Sequence, residues 1–272
     1  MKYINLFDTH FSYAHSSTDW KHPKSFSYVK REPAFDGITI FSDSSFNEVD
    51  EVDCPIKIAW QVESPVFSDH SFYEMMNSHP EKFDKIITYD EDLIKSNPEK
   101  FLRGQFGGTT VYDPQLYTKS KDICTVFSGK LWTPNQEIRK RVIDSFPNVD
   151  SFGRGTERPF DNVADVYKDY RFVIVIENVD HPVYFSEKLT DAMACGCVPI
   201  YKGSKESANK YFNDSGFILW ETFEELQEIL SGLDLSQSSY ESFNVEDNMN
   251  IVKRDFYTNE DWLYERYLKE FM

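Results

Sequence analysis

Residues 172–203 read FVIVIENVDHPVYFSEKLTDAMACGCVPIYKG. The stretch opens on Phe172-Val173-Ile174-Val175-Ile176, apolar, largely β-branched and free of Gly and Pro. Such a run predicts a short strand buried on both faces, as in a parallel sheet. Glu177 and Asn178 end it and a polar loop follows. Ser186 is placed to cap a helix running from Glu187 to about Cys195. Gly196 supplies the stop. Val198-Pro199-Ile200-Tyr201 then predicts a second strand, and Gly203 a turn. The whole reads as one strand–helix–strand unit.

Lys188 conflicts with that reading on electrostatic grounds. It falls in the first helical turn, where the macrodipole disfavours a cation by about 0.3–1 kcal/mol. An anion bound at the helix end, held by free backbone N–H groups and the lysine together, removes the conflict. A lysine that simply reaches solvent is the other reading. In open α/β sheets the ligand crevice lies at the carboxyl ends of the strands, and Glu177, Tyr184, Glu187 and Lys188 all fall there.

The anchors Ile176-Glu177-Asn178, Tyr184-Phe185-Ser186-Glu187-Lys188-Leu189 and Gly196-Cys197-Val198-Pro199-Ile200-Tyr201-Lys202-Gly203 come in that order. Together they resemble the donor-binding motif of the α1,3/1,4-fucosyltransferases, glycosyltransferase family 10. The resemblance implies a GT-B glycosyltransferase: an α/β protein of two Rossmann-like domains facing a central cleft. It implies GDP-fucose as donor substrate, a glycan hydroxyl as acceptor, and no metal or other cofactor. Tyr184 and Lys188 are then expected to reach the diphosphate and Glu187 the ribose hydroxyls. A carboxylate accepting from two vicinal hydroxyls suits that last role. Asn178 and Glu177 are expected to line the same pocket, with Glu177 alternatively facing the sugar or fixing the loop.

Two further residues follow from the same resemblance. Trp60-Gln61-Val62-Glu63-Ser64-Pro65 is similar to the family's (F/M)ESP motif, whose glutamate is taken as general base. An inverting transfer needs a carboxylate to take the acceptor proton as the oxygen attacks the anomeric carbon. Its oxocarbenium-like transition state also favours a nearby carboxylate. Taken without the resemblance, Glu63 reads as a solvated strand-end residue. Arg139, in Thr133-Pro134-Asn135-Gln136-Glu137-Ile138-Arg139, resembles the family arginine expected to contact the donor diphosphate. Planar guanidinium suits bidentate phosphate contact. Its neighbours Lys140 and Arg141 also allow a merely basic helix face.

Length and charge bound the alternatives. At 272 residues the chain can bury one large core or two modest ones. A net charge of −17 argues against nucleic acid or an anionic membrane as partner. No apolar run approaches the roughly 20 residues of a transmembrane helix, and MKYINLFDTHF lacks a signal-peptide core. The chain as given is therefore expected to be soluble and cytoplasmic. Eukaryotic family members usually carry an anchor and stem, so it resembles a bacterial or viral member or a trimmed catalytic domain. Cys54, Cys124, Cys195 and Cys197 complete no zinc spacing and read as buried thiols. Asp90-Glu91-Asp92 has the D-x-D spacing of metal-dependent transferases, but acids are expected at a helix start.

Elsewhere the pattern alternates strands and helices. Strands are predicted over Lys2–Phe7, Ile38–Ser42, Ile56–Val62, Lys85–Thr88, Thr109–Tyr112, Ile123–Phe127 and Phe217–Trp220. Helices are predicted over 69–79, after Pro134 within a Thr133/Gln136 capping box, over 222–233, and over Asp255–Phe271. Residues 10–36 give no pattern. The expected organisation is an acceptor-side domain over 1–117, a nucleotide-sugar-binding domain over 118–254, and a terminal helix over 255–272 packing back on the first. A transferase with a different nucleotide-sugar donor, or a nucleotide- or glycan-binding protein without turnover, remain as alternatives. The acceptor and the oligomeric state are open.

Overall fold

A computed structural model of the chain describes residues 2–9, 11, 14–18, 21–63, 74–76, 78–104 and 107–272. The chain divides into two compact units, Met1–Phe106 with Thr258–Met272, and Gly107–Tyr257.

The first unit is built on a parallel sheet. Its strands are β1 (Tyr3–Phe7), β2 (Ser27–Lys30), β3 (Ile38–Ser42), β4 (Ile56–Trp60), β5 (Lys85–Thr88) and β6 (Phe101–Arg103), in spatial order β2-β1-β3-β4-β5-β6. Every pairing is parallel. β3 is buried along its whole length, Thr39 and Ser42 included, as a central parallel strand covered on both faces is. Phe7, Phe41, Phe46, Val49, Phe83 and Ile86 form the core on one face. Asn5 is a polar residue inside β1, and its amide is satisfied by the Glu32 carbonyl at 2.8 Å and the Thr39 hydroxyl at 3.2 Å. The helix α1 (Glu91–Ser96) is capped by Asp90, whose Oδ1 accepts from the N–H groups of Asp92 and Leu93 at 3.0 Å. The D-x-D acids thus start a helix.

The second unit repeats the plan. Its strands are β7 (Lys121–Val126), β8 (Asp150–Phe152), β9 (Tyr170–Ile176), β10 (Val198–Lys202) and β11 (Ile218–Leu219), in order β11-β10-β9-β7-β8. All pair in parallel. Its helices are α2 (Pro134–Ser145), α3 (Val163–Tyr167), α4 (Glu187–Ala194), α5 (Lys205–Tyr211), α6 (Phe223–Gly232), α7 (Gln237–Tyr240) and α8 (Val245–Asp255). The central strand β9 carries Phe172, Ile174 and Ile176 into a core shared with Val142, Ile200 and Leu226.

Two parallel α/β sheets are what the sequence predicted, but several elements differ. No strand forms at Thr109–Tyr112. Instead Asp191 of α4 gathers that segment, its carboxylate accepting at 2.7 Å from the Thr109 hydroxyl and from both the N–H and the hydroxyl of Thr110. The Gln115 N–H also reaches the Ala194 carbonyl at 3.0 Å. Residues 107–117 accordingly belong with the second unit, where the sequence had put them in the first. The single helix expected over Asp255–Phe271 is broken. α8 ends at Asp255, Thr258 caps α9 (Asn259–Arg266) by accepting from the Asp261 N–H, and Leu268–Phe271 is a 3-10 turn. Thr-Asn-Glu-Asp is a helix start signal that restarts the chain mid-pattern. The expected capping box at Thr133 is half made: Thr133 accepts from the Gln136 N–H, but the Gln136 side chain accepts from Trp132 at 2.7 Å. The helix expected over 69–79 lies largely outside the described residues.

Candidate active site

In the second unit the strand order turns back on either side of β7. β8 follows β7 in sequence on one side, and β9, β10 and β11 run out on the other. The carboxyl ends of β7 and β9 therefore flank a topological switch point, where open α/β sheets bind ligands. The polar loop after β9 and the N-termini of α2 and α4 meet there.

The loop is fastened residue by residue. Glu177 is fully buried, and its carboxylate accepts from Ser186, N–H at 3.0 Å and hydroxyl at 2.6 Å. The Tyr201 hydroxyl lies 3.4 Å away. Burial and the Glu177 charge push the Tyr201 phenol well up, so it stays a neutral donor. Asn178 accepts through Oδ1 from Arg139 at 2.9 Å and through its carbonyl from the Thr133 hydroxyl at 2.7 Å. Asp180 ties α2 to β10, accepting from Asn135 at 2.8 Å and Lys202 at 2.9 Å. Trp132, 68% exposed, stands immediately before Thr133 with the Lys130 ammonium 4.5 Å from its ring centroid.

Arg139 is buried in α2 and spends its guanidinium on the strand end. Nε donates to the Ile176 carbonyl at 3.0 Å, and Nη2 donates to the same carbonyl and to Asn178. Burial draws its pKa below the ordinary value, against the pull of Glu177 and Glu187. Tyr184 is buried in the loop.

Ser186 caps α4 as predicted, accepting from the Lys188 N–H. At the other end the Gly196 N–H reaches the Met193 carbonyl at 2.9 Å and the Cys197 N–H the Ala192 carbonyl at 3.0 Å. With Gly196 at φ +66°, this is a Schellman closure. Glu187 and Lys188 are the partly exposed charges of the first turn, at 40% and 26% side-chain exposure. The Lys188 ammonium donates to Glu187 at 2.8 Å and to the Ser186 hydroxyl at 3.0 Å. Burial alone lowers the Lys188 pKa, but the Glu187 and Glu177 carboxylates outweigh it and hold it above the ordinary value. Burial likewise acts to raise Glu187, and Lys188 reverses the sign, so Glu187 lies below its ordinary value. The first turn therefore presents a full ammonium and a full carboxylate.

Glu63 belongs to the other unit, just beyond β4. Its backbone is clamped on both sides: the N–H donates to Asp43 Oδ1 at 3.2 Å, and the carbonyl accepts from the Tyr89 hydroxyl. Tyr89 is itself fixed by Gln61 at 2.8 Å, and Gln61 by Thr88 at 2.6 Å. The Glu63 carboxylate has no hydrogen bond or ion pair among the described residues. Asp43, Tyr89 and Asp180 were not foreseen, and Thr133 and Lys202 were read only as motif positions. Asp43 takes the unusual φ of +41°, which no sequence pattern marks. Among the described residues no group of His, Cys, Asp and Glu is arranged to hold a metal, and no helix is long and apolar enough to cross a membrane.

Two parallel-sheet units with a helix N-terminus at a switch point define the GT-B class of glycosyltransferase folds. Residues 116–263 match the family model described as glycosyltransferase family 10 (fucosyltransferase), C-terminal part, which is more than half of the chain. The chain belongs to glycosyltransferase family 10. It is 27% identical over 152 residues to the provisionally named fucosyltransferase R654 of Acanthamoeba polyphaga mimivirus, covering 52% of this chain and 24% of that protein. It is 27% identical over 171 residues to the 4-galactosyl-N-acetylglucosaminide 3-alpha-L-fucosyltransferase FUT6 of Gorilla gorilla gorilla, covering 59% of this chain and 46% of the enzyme. The chain thus spans less than half the length of these relatives. The crystal structure of an alpha1,3-fucosyltransferase with GDP-fucose superposes with a TM-score of 0.56 at 15% identity, over 93% of this chain and 88% of that one.

Proposed function

We propose that the chain is an inverting glycosyltransferase that moves fucose from GDP-fucose to a glycan hydroxyl, with Glu63 as general base. The observation that carries the reading is the first turn of α4, where Lys188 and Glu187 stand partly exposed at a switch point whose other polar groups are already engaged. Family membership and the GDP-fucose complex of a similar fold support the donor.

In this reading Lys188 and the free N–H groups of α4 face the diphosphate, which gathers negative charge as it leaves. Glu187 accepts from the ribose hydroxyls. Tyr184 contributes at the same end. Arg139 and Asn178, bonded to each other, act at one remove by fixing the loop beside the phosphates. Glu177 holds Ser186, and through it the helix cap. Glu63 takes the acceptor proton while the acceptor oxygen attacks the anomeric carbon. The bond from that carbon to the β-phosphate oxygen breaks, and GDP departs with the electron pair. Attack from the face opposite the leaving group inverts the centre. No step requires a metal.

Calorimetric titration with GDP, GDP-fucose, UDP and CMP, with and without EDTA, tests the donor. Selective GDP binding that survives EDTA is expected. Preference for UDP discards the donor and keeps the fold; no nucleotide binding at all rejects transferase function. For the base, Glu63→Ala is expected to abolish transfer with GDP affinity unchanged.

A further inference from the structure

The first unit holds a cavity of about 720 Å³ lined by Asp8, Thr9, His15, Tyr28, Lys30 and Arg31. It lies at the carboxyl ends of β1 and β2. β1 is also the strand at which this sheet reverses its order, since β2 lies on one side and β3 on the other. That is the position at which open parallel sheets take ligands, and nothing in the donor site draws on it.

The two cationic side chains that line the cavity, Lys30 and Arg31, differ in their partners. The Asp8 carboxylate accepts from the Phe11 N–H at 2.5 Å and from the Ser42 hydroxyl. Arg31 pairs with Glu48. Glu260, buried beneath, accepts from Ser17 N–H at 2.6 Å, from the Ser17 hydroxyl at 3.1 Å, and from the Tyr28 hydroxyl at 3.4 Å. Lys30 makes no ion pair among the described residues. Its ammonium lies 4.6 Å from the centroid of the Tyr28 ring and 5.7 Å from that of Phe11, with the Phe11 carbonyl at 3.5 Å. Burial lowers its pKa, opposed by Asp8 and Glu260 from beyond ion-pair distance. His15, stacked on His22 at 3.6 Å between ring centroids, lines the same space.

The chain has 46 acidic against 29 basic residues. A half-buried ammonium facing a cavity with no carboxylate in ion-pair reach among the described residues is therefore unexpected from composition alone, because acids are in excess. Aromatic faces stabilise such a cation but leave its three N–H donors largely unused. The cavity is also large enough for a sugar residue or two.

We propose that this cavity binds the acid-bearing part of the acceptor, a sugar carrying a carboxylate or a phosphate, with Lys30 as the ion-pairing residue. The proposal rests on the reading of the chain as a sugar transferase, but its test does not use transfer. Ligand-observed NMR titration without nucleotide compares methyl β-glucuronide, glucose 6-phosphate and neutral methyl β-glucoside. At least one acidic probe is expected to bind about tenfold more tightly than the neutral sugar, the size of a charge-assisted contact. Which acid binds identifies the source of the anion. Lys30→Gln removes the preference and Lys30→Arg keeps it, with the melting temperature of each variant measured alongside. Equal binding of all the probes, or binding of none, overturns the proposal. So does a preference that survives Lys30→Gln. A GDP titration on the same sample keeps the two readings apart: acidic sugars binding where GDP does not sinks the donor assignment and leaves the cavity standing.

Discussion

Asp43 holds Glu63 by its main chain: one carboxylate oxygen accepts from the Val62 N–H at 3.0 Å and from the Glu63 N–H at 3.2 Å. Asp43 does this from a left-handed backbone at φ +41°, a conformation that costs a non-glycine residue roughly 1 kcal/mol or more. The arrangement leaves the side chain of Glu63 without a partner among the described residues while its backbone is fixed. That is the condition a general base needs, because a small misplacement of a catalytic group lowers rate steeply. Asp43→Ala is expected to lower kcat by roughly 10- to 100-fold with the donor KM unchanged. Steady-state kinetics checks it. Tyr89→Phe, which removes only the hydrogen bond to the Glu63 carbonyl, is expected to act in the same direction and by less.

Lys188 and Glu177 sit at the same helix end and should answer differently. Lys188 is partly exposed and, among the described residues, bonded only to its neighbours Glu187 and Ser186. Lys188→Ala is expected to weaken GDP binding by roughly 10- to 100-fold, the worth of a charge-assisted contact, with little change in stability. Glu177 is fully buried and satisfies two donors of Ser186. Glu177→Ala leaves the Ser186 N–H without its acceptor and is expected to cost about 1–3 kcal/mol of stability. Urea unfolding paired with GDP titration separates the two. Equal losses in both variants would show that the helix end is scaffold only.

The strand–helix–strand unit at 172–203 was legible because its signals are local. An unbroken apolar run, a Ser cap and a Gly stop each act within a turn of their own position, and all three fold as read. β2, β8, α3, α5 and α8 were not seen because they are short or are completed by partners far away. Tyr28 of β2 meets Glu260 across the sequence, and α8 lies on α4 with a pattern diluted by polar residues. The site divides in the same way. Lys188 was singled out by helix electrostatics, and Glu187 by the family resemblance. That Arg139 would spend itself on the Ile176 carbonyl and Asn178 did not, since the strand end it closes is distant in sequence. Asp43 was invisible because backbone handedness leaves no mark on a non-glycine residue.

Gly196 gives a measure of how firmly the end of α4 is set. At φ +66° it occupies the position where a side chain strains the backbone by about 1 kcal/mol. An added Cβ also meets the Leu116 side chain at 2.8 Å. Gly196→Ala is expected to lower stability by about 1–2 kcal/mol, read from the shift in the urea midpoint. GDP affinity should hold, because the proposed nucleotide site lies at the opposite end of the helix.

Glu260 gives the fold a pH dependence whose sign can be worked out. It is fully buried at the start of α9, and burial pushes its pKa from the ordinary 4.5 up to about 7, with repulsion from Asp261 adding and the Ser17 hydrogen bonds opposing. Between those two values the folded chain holds a proton that the unfolded chain has released. Unfolding then releases a proton, so stability falls as pH rises through this window. The stabilising effect is complete below pH 4.5 and gone above about 7. A shift of this size corresponds to about 3 kcal/mol. Glu260→Gln stays neutral at every pH and still offers an oxygen to the Ser17 N–H. The variant should therefore match the wild type near pH 5 and exceed it in stability near pH 8. Urea unfolding of both proteins across that range checks the difference between the two curves, which cancels the titration of every other group. A difference that does not change with pH, or a variant less stable at pH 8 than at pH 5 relative to wild type, would mean that Glu260 stays ionised within the fold.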